Sequence, residues 1–190
     1  MIILCGMTSS GKDYVKKLLL KDGMESVVTY TTRPKRKGEK DGVSYHFISK
    51  DDFLKLKKEN YFIETAHYDV ATKERWYYGT SYEEVSGCLL EKVLVMNPIG
   101  IKSLFEKMTS VQLSTIFVVY LYCDENIIRE RLIKRGDNQI EANRRILADK
   151  KDFSDIDKYV NLSICNNGEL TSEELVEKIR NTYERFLMEV

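Results

Sequence analysis

The chain has 190 residues, with 30 Lys and Arg balanced by 30 Asp and Glu, so its formal net charge at neutral pH is zero. This length accommodates one well-buried domain with small inserted lobes. The charge balance disfavours a general nucleic-acid or membrane-surface binder, and no apolar run approaches the roughly 20 residues of a membrane span.

The amino terminus joins a short apolar run, residues 1–5, to a glycine-framed loop that ends in lysine. Residues 6–12 read Gly-Met-Thr-Ser-Ser-Gly-Lys, and the next eight residues have the apolar spacing of a helix. Such a loop wraps backbone N–H groups around nucleotide phosphates at the positive end of a helix, and its lysine reaches the β- and γ-phosphates. The motif predicts a site for a nucleoside triphosphate, most simply ATP. Its expected binding residues are Gly6, Thr8, Ser9, Ser10, Gly11, Lys12 and Asp13.

Asp13 occupies the position where this loop usually has Ser or Thr, whose hydroxyl binds Mg²⁺. A carboxylate is also a hard oxygen ligand, so Asp13 is a candidate for the metal, with Ser10 and Thr8 as nearby hydroxyls. The alternative is a first-turn acid that the helix dipole stabilises. A further alternative for the whole loop is a plain glycine-rich turn between a strand and a helix.

Strand-like and helical runs alternate over most of the chain. Further strands are predicted at 26–30, 91–96, 115–122 and 158–164. Helices are predicted to start at Asn97-Pro98, after Asp124 and after Thr171. This alternation implies an α/β fold with a parallel sheet and a ligand at the carboxyl ends of its strands.

Residues 31–90 break the alternation and read as a small inserted lobe. A helix at 51–58 lies among short strand-like pieces at 44–48, 61–68 and 75–78. A second irregular stretch, about 135–141, has the length and polarity of a lid loop with Gly136 as a hinge. We therefore expect a core of 1–30 and 91–190 and an inserted lobe of 31–90.

The four cysteines have no metal-ligand spacing and lie mostly in apolar runs, so we expect reduced core residues. They are Cys5, Cys88, Cys123 and Cys165. The first residues lack the basic start and cleavage site of a signal peptide. Both features predict a cytoplasmic protein.

The stretch from Thr31 to Phe47, TTRPKRKGEKDGVSYHF, resembles the GMP-binding run of the guanylate kinase family, T-T-R-x-P-R-x-G-E-x-x-G-x-x-Y-x-F, with the proline one place early. The resemblance continues, in the family's order, over nearly the whole chain. Its further segments are Phe62-Ile63-Glu64, Tyr78-Gly79-Thr80, Arg131-Leu132, Arg135 and Arg145. It implies a parallel-sheet core of the P-loop NTPase type, an inserted nucleoside-monophosphate lobe and a short lid.

The resemblance implies that Arg33, Arg36, Tyr45 and Tyr78 bind the phosphate of GMP or dGMP, because guanidinium forks and phenols donate to phosphate oxygens. It also implies that Glu64 accepts from the adjacent N1–H and N2–H₂ donors of guanine, a pair that adenine lacks. Thr29, Thr80 and Asn97 complete the expected acceptor site. From the residues alone, the basic run could instead be a solvated loop and Glu64 a member of a structural ion pair.

The implied reaction is a phosphoryl transfer from ATP, with Mg²⁺, and small molecules as the expected partners. Lys12, Arg135 and Arg145 would act on the transferring group, with Arg131 nearer the donor. The alternative for Arg131 and Arg145 is that they are exposed charges on the surface of a helix.

Two family acids at the end of the third core strand are missing here, where Val95 and Asn97 stand, and 69–75 looks like an insertion. Competing functions are a non-catalytic binding module of the same fold and a kinase for another nucleoside monophosphate.

Overall fold

The computed structural model describes residues 1–69, 74–86 and 89–189. In this part of the chain, a five-stranded sheet has the strand order β2-β7-β1-β8-β9. Every pairing in it is parallel, and β1 at its centre pairs Ile2 with both Val93 and Phe117. The strands are β1 (Ile2–Gly6), β2 (Glu25–Ser26), β7 (Lys92–Val95), β8 (Phe117–Tyr122) and β9 (Leu162–Cys165). The predicted α/β class with a parallel sheet is confirmed.

Helices cover both faces of this sheet because the central strand is apolar on both sides. Ile2 and Leu4 face one helical layer, α1 (Lys12–Lys21) with α7 (Ser172–Met188), while Ile3 and Cys5 face α3 (Pro98–Lys107). The predicted apolar face of the last helix packs here, through the side chains of Leu175, Ile179, Tyr183, Phe186 and Leu187. The capping box predicted at Thr171 is present. Helix α4 (Ser110–Leu113) is a single short turn.

A second, four-stranded sheet lies between β2 and β7 in the chain and has the order β4-β3-β6-β5. Its strands are β3 (Tyr30–Thr31), β4 (His46–Phe47), β5 (Phe62–Asp69) and β6 (Arg75–Ser81). Helix α2 (Lys50–Lys58) covers it, and Phe53 of α2 stacks on Phe62 at 4.6 Å between ring centroids. The insertion predicted at 69–75 falls at the β5–β6 turn, where residues 70–73 lie outside the described residues.

Two strand predictions need correction. The run 26–30 is not one strand, because Glu25–Ser26 belongs to the core sheet and Tyr30–Thr31 to the second sheet. The run 158–164 begins with a 3₁₀ turn, Ile156–Lys158, and only Leu162–Cys165 is extended. The connection between α5 (Glu125–Lys134) and α6 (Gln139–Asp152) is 135–138, so the predicted lid of 135–141 includes the first turn of α6.

Cys5 is buried, and Cys123 and Cys165 are half-buried free thiols. Cys88 lies outside the described residues. Among residues 1–69, 74–86 and 89–189, no helix has the length and apolarity needed to cross a membrane.

Candidate active site

The loop of residues 6–12, called the glycine loop below, connects the carboxyl end of β1 to the start of α1. Three of its residues have positive φ: Gly6 at 154°, Ser9 at 56° and Gly11 at 99°. Within the described part of the chain, the N–H groups of Gly11, Lys12 and Asp13 donate to no protein acceptor. Unpaired amides at a helix N-terminus bind anions, so the loop offers a ready anion site.

Glycine is required at both ends of the loop for steric reasons. A Cβ on Gly6 would lie 2.2 Å from the backbone oxygen of Leu121, and one on Gly11 would lie 2.3 Å from Nδ2 of Asn166. Asn166, just beyond β9, donates 2.8 Å to the Ser10 oxygen and so fixes the loop. Sequence reasoning missed Asn166, because its contact depends on the packing of β9 beside β8.

Lys12 projects back over the loop, and its Nζ donates 2.7 Å to the backbone oxygens of both Gly6 and Met7. Burial lowers the pKa of Lys12, while Asp13 and then Asp149 oppose that effect. Ser10 is fully buried, and its hydroxyl has no hydrogen-bond partner among the described residues. A buried unpaired hydroxyl beside orphaned amides is a donor set that suits phosphate and a hard cation.

Two of the predicted arginines hold the glycine loop from the α5 side. Arg131 donates 3.1 Å to the Ser9 oxygen and 2.9 Å to the Asn166 oxygen. Arg135 donates 3.2 Å to Oγ of Ser9. Both guanidinium groups therefore lie at the loop, which places strong donors beside its orphaned amides.

Arg145 does not contact the loop. Its Nε donates 2.8 Å to Glu141, and its Nη2 lies 3.4 Å from Asp137. Hydrogen bonds from Arg144 and Arg145 lower the pKa of Glu141 to about 2. Arg145 is thus ion-paired within the lid region, on the wall of a cavity that it shares with Arg36 and Tyr78.

A cleft of about 250 Å³ separates the glycine loop from the second sheet. Nine of the predicted site residues line this cleft: Gly6, Thr8, Lys12, Thr29, Tyr45, Glu64, Tyr78, Thr80 and Asn97. A second cavity of about 560 Å³ adjoins it and is lined by Arg36 and Arg145. The two cavities share Thr8, Tyr68, Tyr78 and Asp149, so they form one continuous depression.

Glu64 is 5% exposed, on β5, and lies against the amino end of α3. The hydroxyl of Thr80 donates 2.6 Å to its Oε1. Burial raises the pKa of Glu64 to about 7, although the hydrogen bond from Thr80 lowers it. A buried carboxylate that lines a cleft and has a short hydrogen bond from a neutral hydroxyl is suited to accept from a ligand.

Arg33 and Arg36 have different surroundings. Arg33 is buried and donates 2.7 Å to Glu39 and 2.8 Å to the Pro34 oxygen, with its guanidinium 5.4 Å from the Tyr45 ring centre. Arg36 is exposed, and its side chain has no hydrogen-bond or salt-bridge partner among the described residues. Arg33 is therefore ion-paired and buried rather than part of a solvated loop, whereas Arg36 presents its charge to the second cavity.

Asn97 is the N-cap of α3. Its Oδ1 accepts 2.6 Å from the Gly100 amide, and its Nδ2 donates to the Tyr68 hydroxyl. The helix cap uses one of the two lone pairs of the amide oxygen, and the expected place of Asn97 in the acceptor site stays a prediction. Tyr68 was missed by sequence reasoning, since its hydrogen bond with Asn97 joins β5 of the second sheet to the start of α3.

Asp149, on α6, is the third residue that sequence reasoning missed. Its carboxylate accepts a hydrogen bond from the Thr8 amide of the glycine loop. Burial raises the pKa of Asp149, while that hydrogen bond and Lys12 lower it. The available signal was its place one helical turn after Arg145, on the same face of α6.

Asp13 is exposed in the first turn of α1 and does not line the cleft. It interacts electrostatically with Lys12. No group of three or more His, Cys, Asp or Glu side chains in the described ranges could hold a metal ion. A cation here would therefore need most of its ligands from a bound phosphate or from water.

Comparison with known proteins shows similarity to guanylate kinases along the chain. The guanylate kinase family model matches residues 1–183. The guanylate kinase of Wolinella succinogenes is 32% identical over 181 residues, which cover 94% of this chain and 81% of that protein. The guanylate kinase of Clostridium perfringens strain SM101 is 31% identical over 182 residues, which cover 94% and 80%.

The guanylate kinase of Desulfotalea psychrophila is 35% identical over 115 residues, and this match spans 60% of the chain and about half, 54%, of that relative. The crystal structure of guanylate kinase from Anaplasma phagocytophilum superposes with a TM-score of 0.67 at 22% identity, covering 99% of this chain and 86% of that one. At this identity the likeness bears on the fold.

Proposed function

Because the chain belongs to the guanylate kinase family, we propose that it transfers the γ-phosphoryl group of ATP to GMP or dGMP, giving ADP and the diphosphate. The observation that carries the proposal is the single depression that joins the two halves of the site. Lys12 and the glycine loop lie at one side of it, and Glu64, Tyr45 and Tyr78 lie at the other.

The glycine loop is the proposed P-loop, the donor site. Its orphaned amides and Lys12 would bind the β- and γ-phosphates of ATP, with Gly6, Thr8, Ser9, Ser10 and Gly11 shaping the loop. Arg131 and Arg135 already contact Ser9. They would neutralise charge that develops as the γ-phosphoryl group leaves.

The second sheet with its loops, residues 31–90, is the proposed acceptor lobe. Glu64, Thr80 and Thr29 would read the guanine at one end, and Tyr45, Tyr78 and Arg36 would bind the phosphate at the other. Arg33 holds the loop that carries Arg36 through Glu39, which also accepts 2.8 Å from the Arg36 amide. The remaining N–H groups of the Arg33 guanidinium would still donate to a phosphate.

Direct phosphoryl transfer needs alignment, charge neutralisation and exclusion of water. Arg145 would exchange its bonds to Glu141 and Asp137 for the transferring group when the 135–138 connection closes over the depression. Lys12 would remain on the β–γ side and stabilise the leaving oxygen.

The family generally uses Mg²⁺, and the residues present fit it. Mg²⁺ prefers hard oxygen ligands and keeps several waters, so it binds proteins through one or two oxygens plus substrate phosphates. Asp13 and the hydroxyl of Ser10, which has no hydrogen-bond partner in the described part of the chain, are such oxygens at the loop. When bound, the ion would neutralise part of the negative charge of the nucleotide phosphates.

A kinase with these substrates belongs to purine nucleotide metabolism and would work in the cytoplasm, where both nucleotides are present. The test is a coupled measurement of ADP release with ATP, Mg²⁺ and each nucleoside monophosphate in turn. Release with GMP or dGMP alone is expected. Release only with another monophosphate would reassign the acceptor, and no release with any of them would leave a binding module.

A further inference from the structure

Asp149 places a carboxylate in the depression where both substrates carry negative charge. It lines the cleft together with Lys12 and the second cavity together with Arg36 and Arg145. It also accepts from the Thr8 amide, so it touches the glycine loop itself. If the glycine loop binds the triphosphate, as proposed above, this carboxylate faces the donor phosphates.

A carboxylate beside phosphates is repulsive unless a cation lies between them, because the site is partly withdrawn from solvent. Lys12 is near Asp149, but its three donors also serve the oxygens of Gly6 and Met7. A second cation is therefore needed to balance the negative charge of Asp149 when the nucleotide is bound.

Where β7 ends, the described residues that line the same cleft carry no carboxylate. Strand β7 ends at Val95, which has no ligating atom, and Asn97 uses its oxygen to cap α3. Both residues line the cleft with Asp149. Asp149 is thus the one ionisable carboxylate besides Glu64 that lines this cleft in the described part of the chain, and Glu64 is bonded to Thr80 at the other end.

We propose that Asp149 holds the divalent cation of the bound nucleotide, directly or through a water molecule, and so makes nucleotide binding depend on that cation. The proposal rests on the glycine loop being the triphosphate site. It assigns to α6 the acid that β7 lacks, and it assigns Asp13, which lies outside the cleft, a lesser part.

The experiment measures the dissociation constant of ATP by calorimetry, without any acceptor, in excess Mg²⁺ and in EDTA. Asp149→Asn is the test variant, because it keeps an oxygen for the Thr8 amide and removes the charge. We expect it to bind ATP several-fold more tightly than wild type in EDTA. We also expect the gain in affinity from Mg²⁺ to fall by about tenfold, the scale seen when a metal loses a supporting ligand.

Two further variants act as controls. Asp152→Asn removes a carboxylate one turn away that lines the second cavity but not the cleft, and it should leave the Mg²⁺ dependence unchanged. Asp149→Glu keeps the charge and should retain most of the dependence, which separates charge from folding damage in the Asn variant. Electron paramagnetic resonance of Mn²⁺ with ADP should show weaker ion binding for Asp149→Asn.

The inference is overturned if the ratio of the ATP dissociation constants in EDTA and in Mg²⁺ is the same in Asp149→Asn as in wild type. It is also overturned if Asp13→Asn abolishes the effect of Mg²⁺ and Asp149→Asn does not. Wild-type protein that binds no ATP under either condition overturns the proposed donor site as well. Normal ATP binding with no transfer to any monophosphate overturns the proposed function and leaves this inference standing.

Discussion

At the scale of single residues, Glu64 has the largest consequence for specificity. It is nearly inaccessible to solvent, yet its carboxylate has a short bond to Thr80 and a second oxygen close to the amino end of α3. The sequence motif indicated Glu64, but it could not show that the carboxylate is desolvated. Because the carboxylate is desolvated, the two hydrogen bonds that guanine donates to it favour binding strongly. A base without these donors leaves the buried carboxylate unpaired, which costs binding free energy.

Glu64→Gln should lower kcat/KM for GMP by about 100-fold and leave the affinity for ATP unchanged, because the amide replaces an acceptor by a donor against the guanine edge. Steady-state kinetics with GMP and calorimetry with ATP measure the two effects. Glu59→Gln, an exposed acid at the end of α2, is the matched control. Unchanged selectivity among purine monophosphates would remove Glu64 from base reading.

The raised pKa of Glu64, about 7 as a result of burial, predicts a linkage between GMP and protons. GMP requires the ionised carboxylate, so binding below pH 7 should release up to about one proton, and its affinity should weaken as the pH falls from 7 to 5. Calorimetry in buffers of different ionisation enthalpy measures that proton. Equal affinity at pH 5 and pH 8 would contradict the prediction.

The same pKa has the opposite effect on the unliganded fold. The folded protein keeps the Glu64 proton up to about pH 7, whereas the unfolded chain loses it near 4.5. The free energy of unfolding should therefore fall as the pH rises between these values, by up to about 3 kcal/mol from this group. Glu64→Gln has no such pH-dependent loss. Its free energy of unfolding relative to that of wild type should therefore be higher at pH 8 than at pH 4.5. Urea titrations at both pH values measure the difference.

At the scale of elements, the α5–α6 connection is built on a glycine. Gly136 follows α5 with φ at 97°, its amide donates 2.9 Å to Ile133, and the next amide donates 3.2 Å to Leu132. These two hydrogen bonds, with the positive φ of the glycine, form a Schellman motif that ends α5. It sets Arg135 towards the glycine loop at the end of one helix and leaves Arg145 on the next.

Gly136→Ala should destabilise the protein by about 1 kcal/mol through its positive φ alone, since no atom of the described residues other than its chain neighbours lies within 4 Å of the added Cβ. Chemical denaturation measures the change. Gly136→Asn is the control and should cost less, because Asn tolerates this conformation. An alanine variant as stable as wild type would mean that the connection adopts another conformation.

Elements also show how far the sequence can be read. Apolar runs were enough to predict the central strands. The helical spacing of apolar residues was enough to predict the last helix, where Leu175 and Ile179 share one buried face. The run 26–30 failed, because its five residues look equally strand-like although Ser26 and Tyr30 join different sheets. Asn166 and Tyr68 could not be predicted for a related reason, since each meets the site through packing between segments far apart in the chain.

At the scale of the whole molecule, one cleft between two sheets should bind two anionic nucleotides independently. Each ligand at 100 times its dissociation constant should stabilise the fold by about 2.7 kcal/mol. Lys12→Met should lose the stabilisation by ATP and keep that by GMP, because Lys12 lies at the loop side of the cleft. Thermal unfolding with each ligand measures this, with the exposed Lys17→Met as control. Loss of both stabilisations would point to a single shared site.

The central claim is that a donor held by the glycine loop and an acceptor held by the second sheet meet head to head in this cleft. Rapid-quench analysis with γ-labelled ATP, GMP and Mg²⁺ tests it in a single turnover. The label should pass to the β position of GDP without appearing as inorganic phosphate. Label that remains on ATP, or that is released only as free phosphate, would contradict the claim.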